Sequence, residues 1–134
     1  MTRYTVDAVA MAGYLVGGLP SAASEIFERA ENGIDVVEAP SAVVGEAMWA
    51  VSNKGTIAGI EVDMSPNEAL GQLVNDGPVH VAESDEHDLA VAGSFIEDQT
   101  LHDALLIANH RVRGTAAIVT NEGDQFFNVD TTWS

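Results

Sequence analysis

The chain has 134 residues, 46% of them hydrophobic and 19% charged, which suits one domain over residues 1–134 and leaves no room for a second. Asp and Glu number 21 against 5 Lys and Arg, a formal net charge of -16, yet the apolar fraction is too high for a disordered acidic tail. The lack of cysteine excludes a disulfide framework, thiolate catalysis and zinc–thiolate sites, and no apolar run reaches the about 18 residues of a membrane span, so the expectation is a soluble, cytoplasmic protein.

Residues 4–7 predict a short strand and residues 8–16 an apolar helix stopped by Gly17 and Gly18. Pro20 and Ser21 open a helix in which Ala22, Ile26 and Ala30 recur at every fourth position, ending at Asn32 and Gly33. Residues 34–38 read as a second strand, and Pro40 and Ser41 start a helix that runs to about Asn53. Residues 54–65 form a connection rich in Gly and β-branched residues. Ser65, Pro66 and Glu68 give a capping-box start for a helix to Val74, stopped at residues 75–77. A third strand follows at residues 79–82, then a helix capped by Ser84 that runs from Asp85 to about Glu97. Thr100 starts another, which runs to about Arg113 and is stopped by Gly114. Residues 116–119 make a fourth strand and residues 128–132 add a fifth at the edge. This alternation predicts an α/β fold, three layers α/β/α around a central, mostly parallel sheet of four to five strands. In such sheets ligands bind beyond the carboxyl ends of the strands.

Several acids fall where that crevice should be. Asp7 ends the first strand, as a site carboxylate or as the N-cap of the next helix. Glu46 has Ala42, Val43, Trp49 and Ala50 as its helical neighbours, and an ionised carboxylate on an apolar face is costly unless paired or bound to a metal. The alternative is a Glu that faces solvent among small residues. Asp103 stands three residues after Thr100, the spacing of a capping box, and taken alone it reads as structural. Glu122 and Asp124 follow the fourth strand in a loop that ordinary turn chemistry would also explain, beside Thr120, whose hydroxyl could orient a carboxylate or a water.

Other residues favour plainer readings. Asp85, Glu86 and Asp88 complement a helix dipole, and Glu25, Glu28 and Glu31 form a solvated helix face. His80, His87, His102 and His110 have no metal-ligand spacing, so zinc is not expected. Arg111 and Arg113 complement the end of their helix, with RNA phosphate contact as the alternative. Trp49 and Trp133 read as packing residues, and Gly13, Gly17 and Gly18 lack the ending of a P-loop. The acidity is read as adaptation to a salty cytoplasm, as in halophilic archaea, rather than as the mark of a partner.

Taken in order, Tyr-Thr-Val-Asp7, Ser-Ala-Val-Val-Gly-Glu46, Leu-His-Asp103-Ala-Leu-Leu-Ile-Ala and Ile-Val-Thr120-Asn-Glu122 resemble the PIN domain, a family of small metal-dependent ribonucleases that includes the VapC-type toxins of toxin–antitoxin pairs. The resemblance implies a pocket of Asp7, Glu46 and Asp103 for Mg²⁺ or Mn²⁺, with Glu122 or Asp124 supporting a second ion or an ordered water. It also implies RNA as substrate, cut to leave a 5′-phosphate, an antitoxin protein as partner, and a homodimer. Carboxylates gathered at one strand end need a compensating cation, and all-oxygen ligation suits these two ions. Ala8 and Val9 stand where the family has a small hydroxyl or amide residue, and Glu122 where it has Asp. These departures motivate an alternative, a catalytically degenerate PIN-like module that binds protein. A phospho-accepting receiver domain also gathers acids around Mg²⁺, but it needs a late lysine and none follows Lys54.

Overall fold

A computed structural model describes residues 1–96, 99–126 and 129–134. In chain order it contains β1 (Arg3–Val6), α1 (Ala8–Val16), α2 (Ser21–Glu31), β2 (Val36–Pro40), α3 (Ser41–Asn53), β3 (Thr56–Ile57), β4 (Ile60–Glu61), α4 (Pro66–Leu70), β5 (Val79–Ala82), α5 (Glu86–Gly93), α6 (Leu101–Arg113), β6 (Ile118–Val119) and β7 (Thr131–Thr132). Five strands form one sheet in the order β5-β2-β1-β6-β7, and every ladder in it is parallel. The architecture is the expected three-layer α/β/α sandwich. Right-handed crossovers dictate the layers: the chain steps from β1 to β2 to β5 in one direction, which puts the intervening helices on one face, and the reversal to β6 puts α5 and α6 on the other. The order of the sheet strands, counted along the chain, is 3-2-1-4-5; a receiver domain has 2-1-3-4-5. That topology removes the receiver reading.

Burial on both faces explains the short apolar strands. Val6, Val37, Ile118 and Val119 are all fully buried and pack with Met11, Phe27, Val43, Leu73 and Leu106 in one core, as parallel strands covered on two sides require. Local chemistry sets the helix ends. Asp7 Oδ1 accepts a hydrogen bond from the Ala10 amide at 2.7 Å, capping α1, and Thr100 Oγ1 accepts from the Asp103 amide at 3.2 Å, capping α6. Helix α6 ends at Gly114, whose φ of +66° is a left-handed conformation that glycine adopts without a steric penalty.

Besides strand ends that shift by one or two residues (β1, β2 and β6), the structure departs from the sequence expectations at four places. The connection 54–65 contains a small antiparallel hairpin, β3 with β4. Its turn places Ala58 at φ 51° and Gly59 at φ 76°, the two left-handed central residues of a tight hairpin turn, without the Asn-Gly or Asp-Gly pair that announces one. The helix expected to reach Val74 stays α-helical only to Leu70 and then widens into a π-helical turn, Gly71–Asn75. Gly77 returns so close beneath that turn that a Cβ there would lie 2.0 Å from the Gln72 carbonyl oxygen. Helix α5 is capped by Asp85, not Ser84, in a reciprocal box with Asp88, and it ends at Gly93, so the expected extension toward Glu97 is absent through Ile96 and residue 97 lies outside the described residues. The fifth strand is limited to Thr131–Thr132, and the expected start at residue 128 lies outside the described residues.

One buried charge fixes α6 on the sheet. Glu38 is 1% exposed and sits in register with Thr5 of β1. Arg113 and Arg3 both pair with its carboxylate, and Asn109 donates both to Glu38 Oε2 at 3.2 Å and to Thr5 Oγ1 at 2.8 Å. Burying a carboxylate without such partners is costly.

Candidate active site

The reversal of strand order between β1 and β6 makes a crevice at the carboxyl ends of these two neighbours. Asp7 leaves the end of β1, and Thr120 leads the loop from the end of β6 to Glu122. Helix α6 brings Asp103 in from its first turn, and α3 brings Glu46. A cavity of about 440 Å³ is lined by Asp7, Glu46, Asp103 and Glu122 together with Lys54 and His102.

Asp7 is the electrostatic focus. It is 6% exposed, and burial pushes its carboxyl up to about 6. Hydrogen bonds from the Thr120 side chain and the Ala10 amide favour the ionised form, while the charges of Glu122 and Asp103 oppose it. Burial and like charge together outweigh the two donors. The Thr120 hydroxyl also accepts from the Glu122 amide at 3.0 Å, so one side chain ties the loop to Asp7.

Glu46 lies half-exposed on α3, not on a buried apolar face, with its side chain 42% accessible. His102 Nδ1 stands 2.5 Å from Glu46 Oε2 and links α3 to the start of α6. Ala8 and Val9 also line the cavity and offer it no polar side chain. Among the described residues no three acids or histidines are disposed so as to grip one ion between them.

No family profile and no curated protein sequence matches the chain. Solved structures do. The crystal structure of VapC20 from Mycobacterium tuberculosis, a toxin that cleaves the sarcin–ricin loop, superposes with a TM-score of 0.66 at 18% identity over 91% of this chain and 92% of that one. VapBC2 from Rickettsia felis, bound to a DNA fragment from their promoter, gives a TM-score of 0.67 at 14% identity over 99% and 100%. The chain has the PIN fold.

Within that fold the acids singled out in the sequence divide. Asp7, Glu46, Asp103 and Glu122 share one cavity; Asp124, exposed in the turn Gly123–Gln125, does not line it. Arg113 is not available to RNA there, since it pairs with Glu38 ten residues and about 15 Å along α6 from Asp103. Arg111 lies 4.9 Å over the Phe95 ring. With Arg3 on Glu38 and Arg29 on Asp35, every arginine is engaged. Lys54 alone of the five cations has neither an ion pair nor a ring contact among the described residues, and it lines the acidic cavity. The sequence reading missed Lys54 because the pairing of the arginines is a tertiary fact. It also placed Trp49 in the packing, whereas that side chain is 57% exposed; Trp133 does pack against the core.

Proposed function

We propose that the protein is a metal-dependent endoribonuclease that hydrolyses RNA phosphodiesters, and that it is the toxin of a toxin–antitoxin pair. The observation that carries this reading is the meeting of Asp7, Glu46, Asp103 and Glu122 in one cavity at the switch point of a PIN fold. The two toxins of like fold are, respectively, a cleaver of the sarcin–ricin loop and a component of a VapBC complex, which supports RNA as substrate and an antitoxin polypeptide as partner. The same reading carries a homodimer, which light scattering would test.

The donor chemistry fits a hard divalent cation. All four groups are carboxylates, and the repulsion of Asp7 by Glu122 and Asp103 is the imbalance that Mg²⁺ or Mn²⁺ relieves. No three ligands close around one point among the described residues, so the fit rests on donor chemistry, and Mg²⁺ commonly takes only one or two carboxylates directly. Asp7, Glu46, Asp103 and Glu122 would hold the ion; a bound ion would polarise the phosphodiester and acidify a water for attack.

The chain's own groups do the rest. Thr120 and the Ala10 amide hold the Asp7 carboxylate in one orientation. Lys54 offers the cavity a positive charge to meet the incoming phosphate. His102 restrains Glu46 across the gap between α3 and α6.

Cleavage of a labelled RNA in concentrated KCl, with Mn²⁺ or Mg²⁺ against EDTA, tests the proposal. Asp103→Asn is the informative variant, because the cap on α6 uses the Asp103 amide and not its side chain. Metal-dependent cleavage that disappears in a folded Asp103→Asn protein is the expected result, and cleavage retained by that variant overturns the assignment. Ala8 and Val9 in the cavity wall support the second reading, a degenerate module, which requires that Mn²⁺ neither binds nor raises the melting temperature.

A further inference from the structure

A second cavity, of about 220 Å³, adjoins the acidic one and shares Ala8, Val9, Glu46 and Lys54 with it. Its own walls come from α1, α3 and the β3–β4 hairpin: Ala12, Trp49, Ala50, Thr56, Ile57 and Ala58. We propose that this cavity is a nucleobase subsite, in which an unpaired base of single-stranded RNA stacks on Trp49 while Lys54 contacts the phosphate that joins that base to the reacting one. The inference rests on the ribonuclease reading and adds to it the group that selects the substrate.

Four observations converge on this occupant. Trp49 is 57% exposed, although burying an indole is favourable, so its face is open on the flank of an apolar pocket. The volume lies below the roughly 300–1,000 Å³ of drug-sized sites, which suits a single planar ring. Thr56 gives that pocket a hydroxyl able to donate to or accept from a base edge. Lys54 sits on the border of both cavities and is the one cation without a partner among the described residues. Single strands are held by aromatic stacking together with positive charge along the backbone, and an exposed aromatic accepts any base by its π-face. A protein segment would use the apolar walls equally well, but it gives no reason for the single free lysine to stand between this pocket and the carboxylates.

The test measures binding of short single-stranded homopolymer RNAs in the Asp103→Asn background with Mn²⁺, and cleavage of the same RNAs by the otherwise unaltered protein. Trp49 and Lys54 are both exposed, so their truncation leaves the core alone. Trp49→Ala should weaken RNA binding about tenfold, with most of the loss restored by Trp49→Phe, and should leave binding of an abasic strand with the same phosphates unchanged. Lys54→Ala should reduce the dependence of log affinity on log salt by about 0.7, the value for one phosphate on a single strand. Equal RNA affinity in Trp49→Ala overturns the subsite; a loss that persists on the abasic strand also overturns it. Cleavage by the unaltered protein with no effect of Trp49→Ala would sink the subsite and keep the nuclease. Binding through Trp49 without cleavage would do the reverse, and no RNA binding by any variant would sink both.

Discussion

Asp7 serves two purposes that pull against each other. As an N-cap it satisfies the Ala10 amide, and as a site carboxylate it is buried beside two like charges. Its folded value of about 6 lies above the ordinary 3.8, so the folded state holds its proton more tightly than the unfolded chain does. The linked stability is therefore fully present below pH 3.8 and lost as pH rises through about 6, a loss of at most about 3 kcal/mol. Asp7→Asn keeps an acceptor for the cap and removes the charge. In EDTA at pH 7 it should be more stable than the parent protein toward urea, with the advantage shrinking as the pH falls to 4. Mn²⁺ should stabilise the parent and not the variant. Equal stability of the two proteins at pH 7 would mean that burial does not strain this carboxylate. At this scale the candidate site was largely legible: Asp7, Asp103 and Glu122 each sit at an element boundary that the sequence marks, and Thr120 beside its loop. Lys54 and Trp49 were not, because what distinguishes them is lacking a partner or a cover, and that depends on where all the other side chains go.

Helix α6 shows how an element is positioned by groups remote from the site. Asn109 and Arg113 are one turn apart on its sheet-facing side, and both meet Glu38 of β2. Reading residues 34–38 as a strand was right in kind, with the strand itself at Val36–Pro40, but the pattern said nothing of the fully buried Glu38 at the middle of that observed strand. Only the register with Thr5 and the cover of α6 reveal it. Arg113→Met would leave that carboxylate with Arg3 at 3.4 Å and with Asn109. Breaking a buried pair from one side costs about 3–5 kcal/mol; Arg3 and Asn109 remain, so the lower end is expected. Adding Glu38→Gln to Arg113→Met should recover part of the loss, since the second change removes the stranded charge. Urea midpoints of the single and double variants decide it, and a double variant no better than Arg113→Met would show that packing, not charge, carries the effect. The β3–β4 hairpin was illegible for a different reason: its strands are two residues each, shorter than any periodicity, and Ala58 holds a conformation for which its type gives no warning.

At the scale of the whole molecule, the charge of -16 is held against very little. The described ion pairs engage three of the five cations, on Glu38 and Asp35, which leaves most of the 21 acids to repel one another and any polyanion. Lowering the Debye length from about 10 Å at 0.1 M salt to about 3 Å at 1 M removes most of that repulsion. The melting temperature should therefore rise steeply with KCl over this range, and RNA should associate faster with added salt, opposite to the usual trend for a nucleic-acid-binding surface. Affinity would still carry the small opposing slope contributed by the one free lysine. Chloride is the right anion for the experiment, because sulfate stabilises folded proteins through exclusion from their surface whatever their charge. A melting temperature that is flat in KCl would contradict the reading of the acidity as adaptation to salt, and an association rate that falls with KCl would mean that a local positive field around Lys54, rather than the net charge, governs the approach of RNA.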